Sequence, residues 1–132
     1  MQRRTFIIGT ASIMLAPITA KAAGFVDYKP GAIQTALNAG KTVFVDYSAT
    51  WCSTCARQDR VITALREQNP AYDQAMTFIK VDWDTYKDED VTKSRNIPRR
   101  STLLVLRGDA ELGRIVAGTT ETQIKALMDL GL

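Results

Sequence analysis

Apolar residues along this chain change their spacing several times, and each change marks the edge of an element. From Thr42 to Tyr47 they run almost without a break (Val43, Phe44, Val45, Tyr47), the pattern of a strand buried on both faces at the centre of an α/β sheet. Before it, Pro30-Gly31 opens an amphipathic helix that places Ile33, Ala36 and Leu37 on one face, and Asn38 to Gly40 closes it. Phe25 to Lys29 reads as a short first strand or a lead-in. After it, Cys52 to Gln68 has helical spacing, with Val61, Ile62 and Leu65 inward and Asn69-Pro70 as the stop. Thr77 to Val81 is a second buried strand, followed by the acidic run Asp82 to Asp90. That run lacks the central glycine of a calcium loop and reads as a solvated loop and helix start.

A helix from about Asp88 to Arg95 leads to Ile97-Pro98-Arg99-Arg100. Ser101 to Leu106 and Leu112 to Ala117 flank Arg107-Gly108-Asp109-Ala110-Glu111, which predicts an antiparallel hairpin. The last helix starts at a capping box, Thr120 with Gln123, and turns Ile124, Leu127 and Met128 inward. Parallel strands joined through helices require right-handed crossovers. The expected architecture is therefore α/β: a central mixed sheet of four or five strands with helices on both faces. With 132 residues, 45% of them apolar, and no repeats or linkers, the chain has material for one domain with its own core.

The first 23 residues read as an export signal. Arg3-Arg4 precede an apolar stretch from Phe6 to Ala20 that Gly9 and Pro17 interrupt, and Ala20-Lys21-Ala22 provides small residues for cleavage near Ala22/Ala23. Arg3-Arg4-Thr5-Phe6-Ile7 fits both the twin-arginine pattern and an ordinary secretory signal, and an uncleaved anchor is the alternative. Charge then looks different. The seventeen basic residues fall to fourteen once Arg3, Arg4 and Lys21 leave, against fourteen acids. A neutral domain over residues 24–132 gives no electrostatic case for nucleic acid, and contact with a membrane is expected only during export. The implied compartment is the periplasm, where a dithiol must be kept reduced or used as a disulfide.

Cys52 and Cys55 are the only cysteines. At the start of a helix this spacing stacks them one turn apart, with Cβ atoms roughly 5–6 Å apart, and suitable rotamers bring the sulfurs to bonding distance. So short a loop restrains little of the unfolded chain, which favours a redox pair over a structural staple. With no histidine and no second cysteine pair, a zinc site would need carboxylates or a second subunit. At a helix N-terminus, unpaired N–H groups and the helix dipole favour a thiolate on Cys52, and Trp51 with the polar Ser53-Thr54 pair predicts an exposed elbow.

Val45-Asp46-Tyr47 ahead of the elbow, Trp51-Cys52-x-x-Cys55, the Lys80 strand, Thr102-Leu103-Leu104 and Val116-Ala117-Gly118 together resemble the thioredoxin family over nearly all of residues 24–132. The elbow Asp46-Tyr47-Ser48-Ala49-Thr50-Trp51-Cys52 looks more like the periplasmic reductant branch, such as the C-terminal domain of DsbD, than like cytosolic thioredoxin. The resemblance implies a thioredoxin fold and thiol–disulfide exchange without an organic cofactor. Cys52 would be the nucleophile and Cys55 the resolving thiol, with Asp46 as a buried acid assisting proton transfer and Lys80 as its basic companion. Trp51, Arg100, Ser101 and Thr102 would meet the substrate, Trp51 either over the site or in the core. Thioredoxins place a cis-proline immediately before the Thr-Leu-Leu strand; here Ser101 stands there and Pro98 comes three residues earlier, so either residue is a candidate for the position. Uncharged Ser53-Thr54 between the cysteines leans toward a reductant. The expected partners are disulfide-containing client proteins and a membrane thiol-reductant donor, with the protein a monomer. The rival reading is a metal or iron–sulfur binding protein, or an adaptor, using Cys52, Cys55 and Ser101.

Overall fold

A computed structural model describes residues 24–132, together with Gly9; the segment read as an export signal lies outside the described residues. Five strands form one mixed sheet: β1 (Val26–Asp27), β2 (Thr42–Ser48), β3 (Met76–Asp82), β4 (Thr102–Arg107) and β5 (Ala110–Val116), in the order β1-β3-β2-β4-β5. β2 pairs in parallel with β3 and antiparallel with β4, and so sits at the centre as its unbroken apolar run predicts. Helices α1 (Ala32–Asn38), α2 (Ser53–Gln68), α3 (Ala71–Ala75), α4 (Trp83–Tyr86), α5 (Asp90–Lys93) and α6 (Glu121–Asp129) complete the chain. None of these helices is long and apolar enough to cross a membrane.

All seven residues of β2 are buried, and successive side chains must point to opposite faces. Val43, Val45 and Tyr47 accordingly enter a cluster with Ile33, Leu37, Leu104 and Leu106, whereas Phe44 joins Ile62, Leu65, Phe78, Leu103 and Ile124 under α2 and α6. By the same alternation Asp46 points to the α2 side. An acid is thus fixed inside the sheet beneath the elbow, and its side chain is wholly buried.

Several elements depart from expectation. Pro70 ends α2 and also caps α3, because proline is tolerated at a helix start; the turn Ala71–Ala75 buries Tyr72 against the core. The acidic run is more ordered than a solvated loop, since the Asp82 carboxylate accepts from the Thr85 N–H at 3.0 Å and caps the single turn α4. The helix expected over Asp88 to Arg95 shrinks to Asp90–Lys93, and the hairpin closes through Gly108-Asp109, with Gly108 at φ +57°.

Candidate active site

Cys52 is the N-cap of α2, and its sulfur accepts from the Cys55 N–H at 3.2 Å. Cys55 sits one turn on. The elbow is less open than predicted: Cys52 is 4% and Cys55 1% exposed, and both are free thiols packed with Ala49 and half-buried Trp83. Exposure falls instead on Trp51, at 59%. The indole N–H donates to Asp84 Oδ2 at 2.8 Å, and the Arg100 guanidinium lies 4.3 Å over the ring. Trp51 therefore stands on the rim and takes no place in the core.

Opposite the sulfurs stands Ser101. Its hydroxyl lies 3.0 Å from Cys55 Sγ and 3.3 Å from Cys52 Sγ, with Ser101 completely buried. Pro98 is exposed, and among the described residues every peptide bond is trans. Between the two candidates for the position before the strand, the geometry selects Ser101. The residue adopts φ +64°, a left-handed conformation costly for a side chain with a Cβ. Three hydrogen bonds hold it there: Ser101 N–H to Tyr47 O at 2.7 Å, Ala117 N–H to Ser101 O at 2.9 Å, and Gln58 Nε2 to Ser101 O at 2.9 Å. The Gln58 amide also donates to Gly118 O at 2.9 Å, so one buried side chain of α2 ties the Ser101 loop to the turn before α6. Thr102, expected at the client surface, is fully buried; its hydroxyl donates to Arg99 O at 2.7 Å and fixes the loop.

Beneath the cysteines, Asp46 has both oxygens buried and unpartnered, as is Asp59 Oδ1. Burial first, then the Asp59 carboxylate by hydrogen bonding and by charge, push the Asp46 carboxyl well above the usual carboxylate range, with Lys80 opposing. Lys80 Nζ pairs at 2.6 Å with Asp59 Oδ2, so the basic companion expected for Asp46 reaches it through Asp59. A cavity of about 400 Å³ lined by Asp27, Ser48, Cys52, Asp59, Lys80 and Asp82 joins this group to solvent.

Gln58 and Asp59 are the site residues that sequence reasoning missed. Both carried a signal: Gln58 shares the stripe of Ile62 and Leu65 at i, i+4, i+7, and Asp59 lies four residues beyond Cys55.

The two thiols are driven apart. Burial pushes the Cys52 thiol up, but hydrogen bonds from Cys55 and Ser101, the Cys55 N–H and the Arg100 guanidinium outweigh it and bring it down to about 7. Burial, reinforced by hydrogen bonding to Cys52, raises Cys55 instead. Ser101→Ala removes the hydroxyl shared by both sulfurs. The Cys52 thiol is then expected to titrate higher than in the wild type, read from thiolate absorbance against pH; an unchanged midpoint would remove Ser101 from the set of thiolate donors. Among the described residues no three His, Cys, Asp or Glu side chains converge as a metal site, so a metal on Cys52 and Cys55 would need ligands from a second chain.

The family model for thioredoxin matches residues 26–130. Among relatives, thioredoxin-2 of Schizosaccharomyces pombe mitochondria is 31% identical over 120 residues, covering 91% of this chain and 79% of the relative. A thioredoxin of Echinococcus granulosus is 28% identical over 97 residues, covering 74% and 84% respectively. The crystal structure of Trxlp from Edwardsiella tarda superposes with a TM-score of 0.66 at 29% identity, over 76% of this chain and 96% of that one. A Trp-Cys-x-x-Cys elbow on this five-stranded sheet, matched along residues 26–130, places the chain in the thioredoxin family of thiol–disulfide oxidoreductases.

Proposed function

We propose that this oxidoreductase works as an exported reductant of protein disulfides. One observation carries the direction of electron flow: the groups that hydrogen-bond Cys52 are a hydroxyl, a thiol, one backbone N–H and a single guanidinium, and against burial they bring its thiol only to about 7. Thioredoxin's nucleophilic cysteine lies near 7, whereas that of a strong periplasmic oxidant lies near 3.5 because its reduced form is over-stabilised. A thiolate held this weakly keeps its tendency to give up electrons.

In the forward cycle the Cys52 thiolate bonds to one client sulfur, and the client's S–S bond breaks with its electron pair leaving on the other sulfur. Cys55 then loses its proton and attacks Cys52 Sγ, releasing the reduced client and leaving the Cys52–Cys55 disulfide. Asp46, once its own proton has left by way of the Asp59 and Lys80 cavity to water, is the buried carboxylate suited to receive the Cys55 proton. A membrane thiol carrier would return the dithiol to its reduced state.

Export rests on Arg3-Arg4, the interrupted apolar stretch and Ala20-Lys21-Ala22. Alkylation trapping in intact cells tests location and direction together. The expected result is a mature chain beginning near Ala22/Ala23, in the exported fraction, with Cys52 and Cys55 mostly as free thiols. A pair found mostly as a disulfide would make the protein an oxidant, and an unprocessed chain in the cytosol would overturn export.

A further inference from the structure

The four ion pairs among the described residues use Arg66, Lys80, Arg114 and Lys125 as their cations. Arg100 is not among them, although it sits at the active site. Its guanidinium is pinned 4.3 Å over Trp51, its Nε is buried with no acceptor, and the next residue is Ser101. Nothing nearby in its own loop compensates it: the Arg100 carbonyl accepts from Arg99 Nε at 3.1 Å, which adds a second cation on that side. A half-buried cation without a counter-ion is costly to keep. In the resting dithiol the Cys52 sulfur is a hydrogen-bond partner of the Arg100 side chain. Once that sulfur enters a disulfide, the negative charge is gone.

The cavity beside Cys52 has the other sign. Asp27, Asp59 and Asp82 line the cavity beside Cys52 against the single cation Lys80, and Asp84 holds the indole N–H of Trp51. A client reaching Cys52 thus meets carboxylates at the cavity and, next to Ser101 and outside that cavity, a guanidinium with no carboxylate partner.

We propose that Arg100 forms a carboxylate-binding subsite, so that the site prefers disulfides bearing a carboxylate on the Ser101 side of Cys52. As the client sulfur bonds to Cys52 and the thiolate charge leaves that position, the client's carboxylate takes over as the partner of the guanidinium. This specificity rests on the disulfide-exchange reading above and adds a substrate class to it.

The test compares reduced wild type with Arg100→Gln on three small disulfides: oxidised glutathione, which carries carboxylates; hydroxyethyl disulfide, which is neutral; and cystamine, which carries ammonium groups. Arg100→Gln is expected to slow oxidised glutathione about fivefold more than hydroxyethyl disulfide, the range of a partly exposed ion pair. The difference should shrink as salt is added, and Arg100→Lys should retain part of it. Equal slowing of all three disulfides would overturn the proposal, since it would mean that Arg100 acts only through the Cys52 thiol. A wild type inert toward all three would instead overturn the exchange reading itself.

Discussion

Cys52→Ser is expected to abolish turnover of disulfide clients, by about three orders of magnitude or more, while Cys55→Ser keeps the first half of the reaction and accumulates mixed disulfides. The asymmetry follows from depth and donors. Cys52 caps α2 and collects the Cys55 N–H and the Ser101 hydroxyl, so its thiolate is available at neutral pH. A serine hydroxyl there has no comparable ionised population. Cys55 is the more buried of the two and its thiol is pushed up, which keeps it protonated until a mixed disulfide forms beside it. Non-reducing electrophoresis after incubation with a client, followed by mass analysis of the adduct, reads the outcome. Adducts trapped by Cys52→Ser and none by Cys55→Ser would reverse the two roles.

Asp46→Asn is expected to make the protein more stable and slower. Its folded-state carboxyl titrates well above the unfolded value of about 3.9. The wild type therefore has its full stability below that unfolded value and loses part of it as pH rises through the folded one, because the interior resists the charge that the unfolded chain accepts. Asparagine has no such loss, so the stability gained by the variant grows with pH. The gain comes from removing the ionisation and not from the polar atoms, which asparagine keeps, and it is measured by denaturant unfolding of both proteins at acidic and neutral pH. A gain over the wild type no larger at neutral than at acidic pH would show that the Asp46 carboxyl is not raised by burial. The same substitution removes the proton acceptor for Cys55, so release of the mixed disulfide should slow by about a hundredfold, at the lower end of general-base contributions. Capture by Cys52 should change much less.

These three residues were visible before the structure because they break strong patterns. Asp46 interrupts the apolar run of β2, and the Cys-x-x-Cys pair opens a helix directly after it. The continuous run also located the sheet centre. What stayed hidden depends on contacts between distant segments. Gln58 is polar within a helix of mostly polar residues, and only the Ser101 and Gly118 carbonyls explain why it is fully buried. Asp59 gains its meaning from Asp46, thirteen positions away on another element. Asn69-Pro70 reads as the stop of α2, whose C-cap is Asn69, and only the structure shows that Pro70 also opens the next helix as its N-cap. Trp51 was open to a core or a surface place; Asp84 and Arg100, neither adjacent in sequence, hold it at the rim.

The account as a whole rests on the direction in which the Cys52–Cys55 pair moves electrons, and its equilibrium reduction potential measures that directly. Residues 24–132 equilibrated in dithiol buffers of graded poise, with the free thiols counted by mass shift, should give a value near the roughly −270 mV of thioredoxin. A value near the roughly −120 mV of strong periplasmic oxidants would contradict the reductant reading, and failure to form the intramolecular disulfide at any poise would contradict the exchange mechanism altogether.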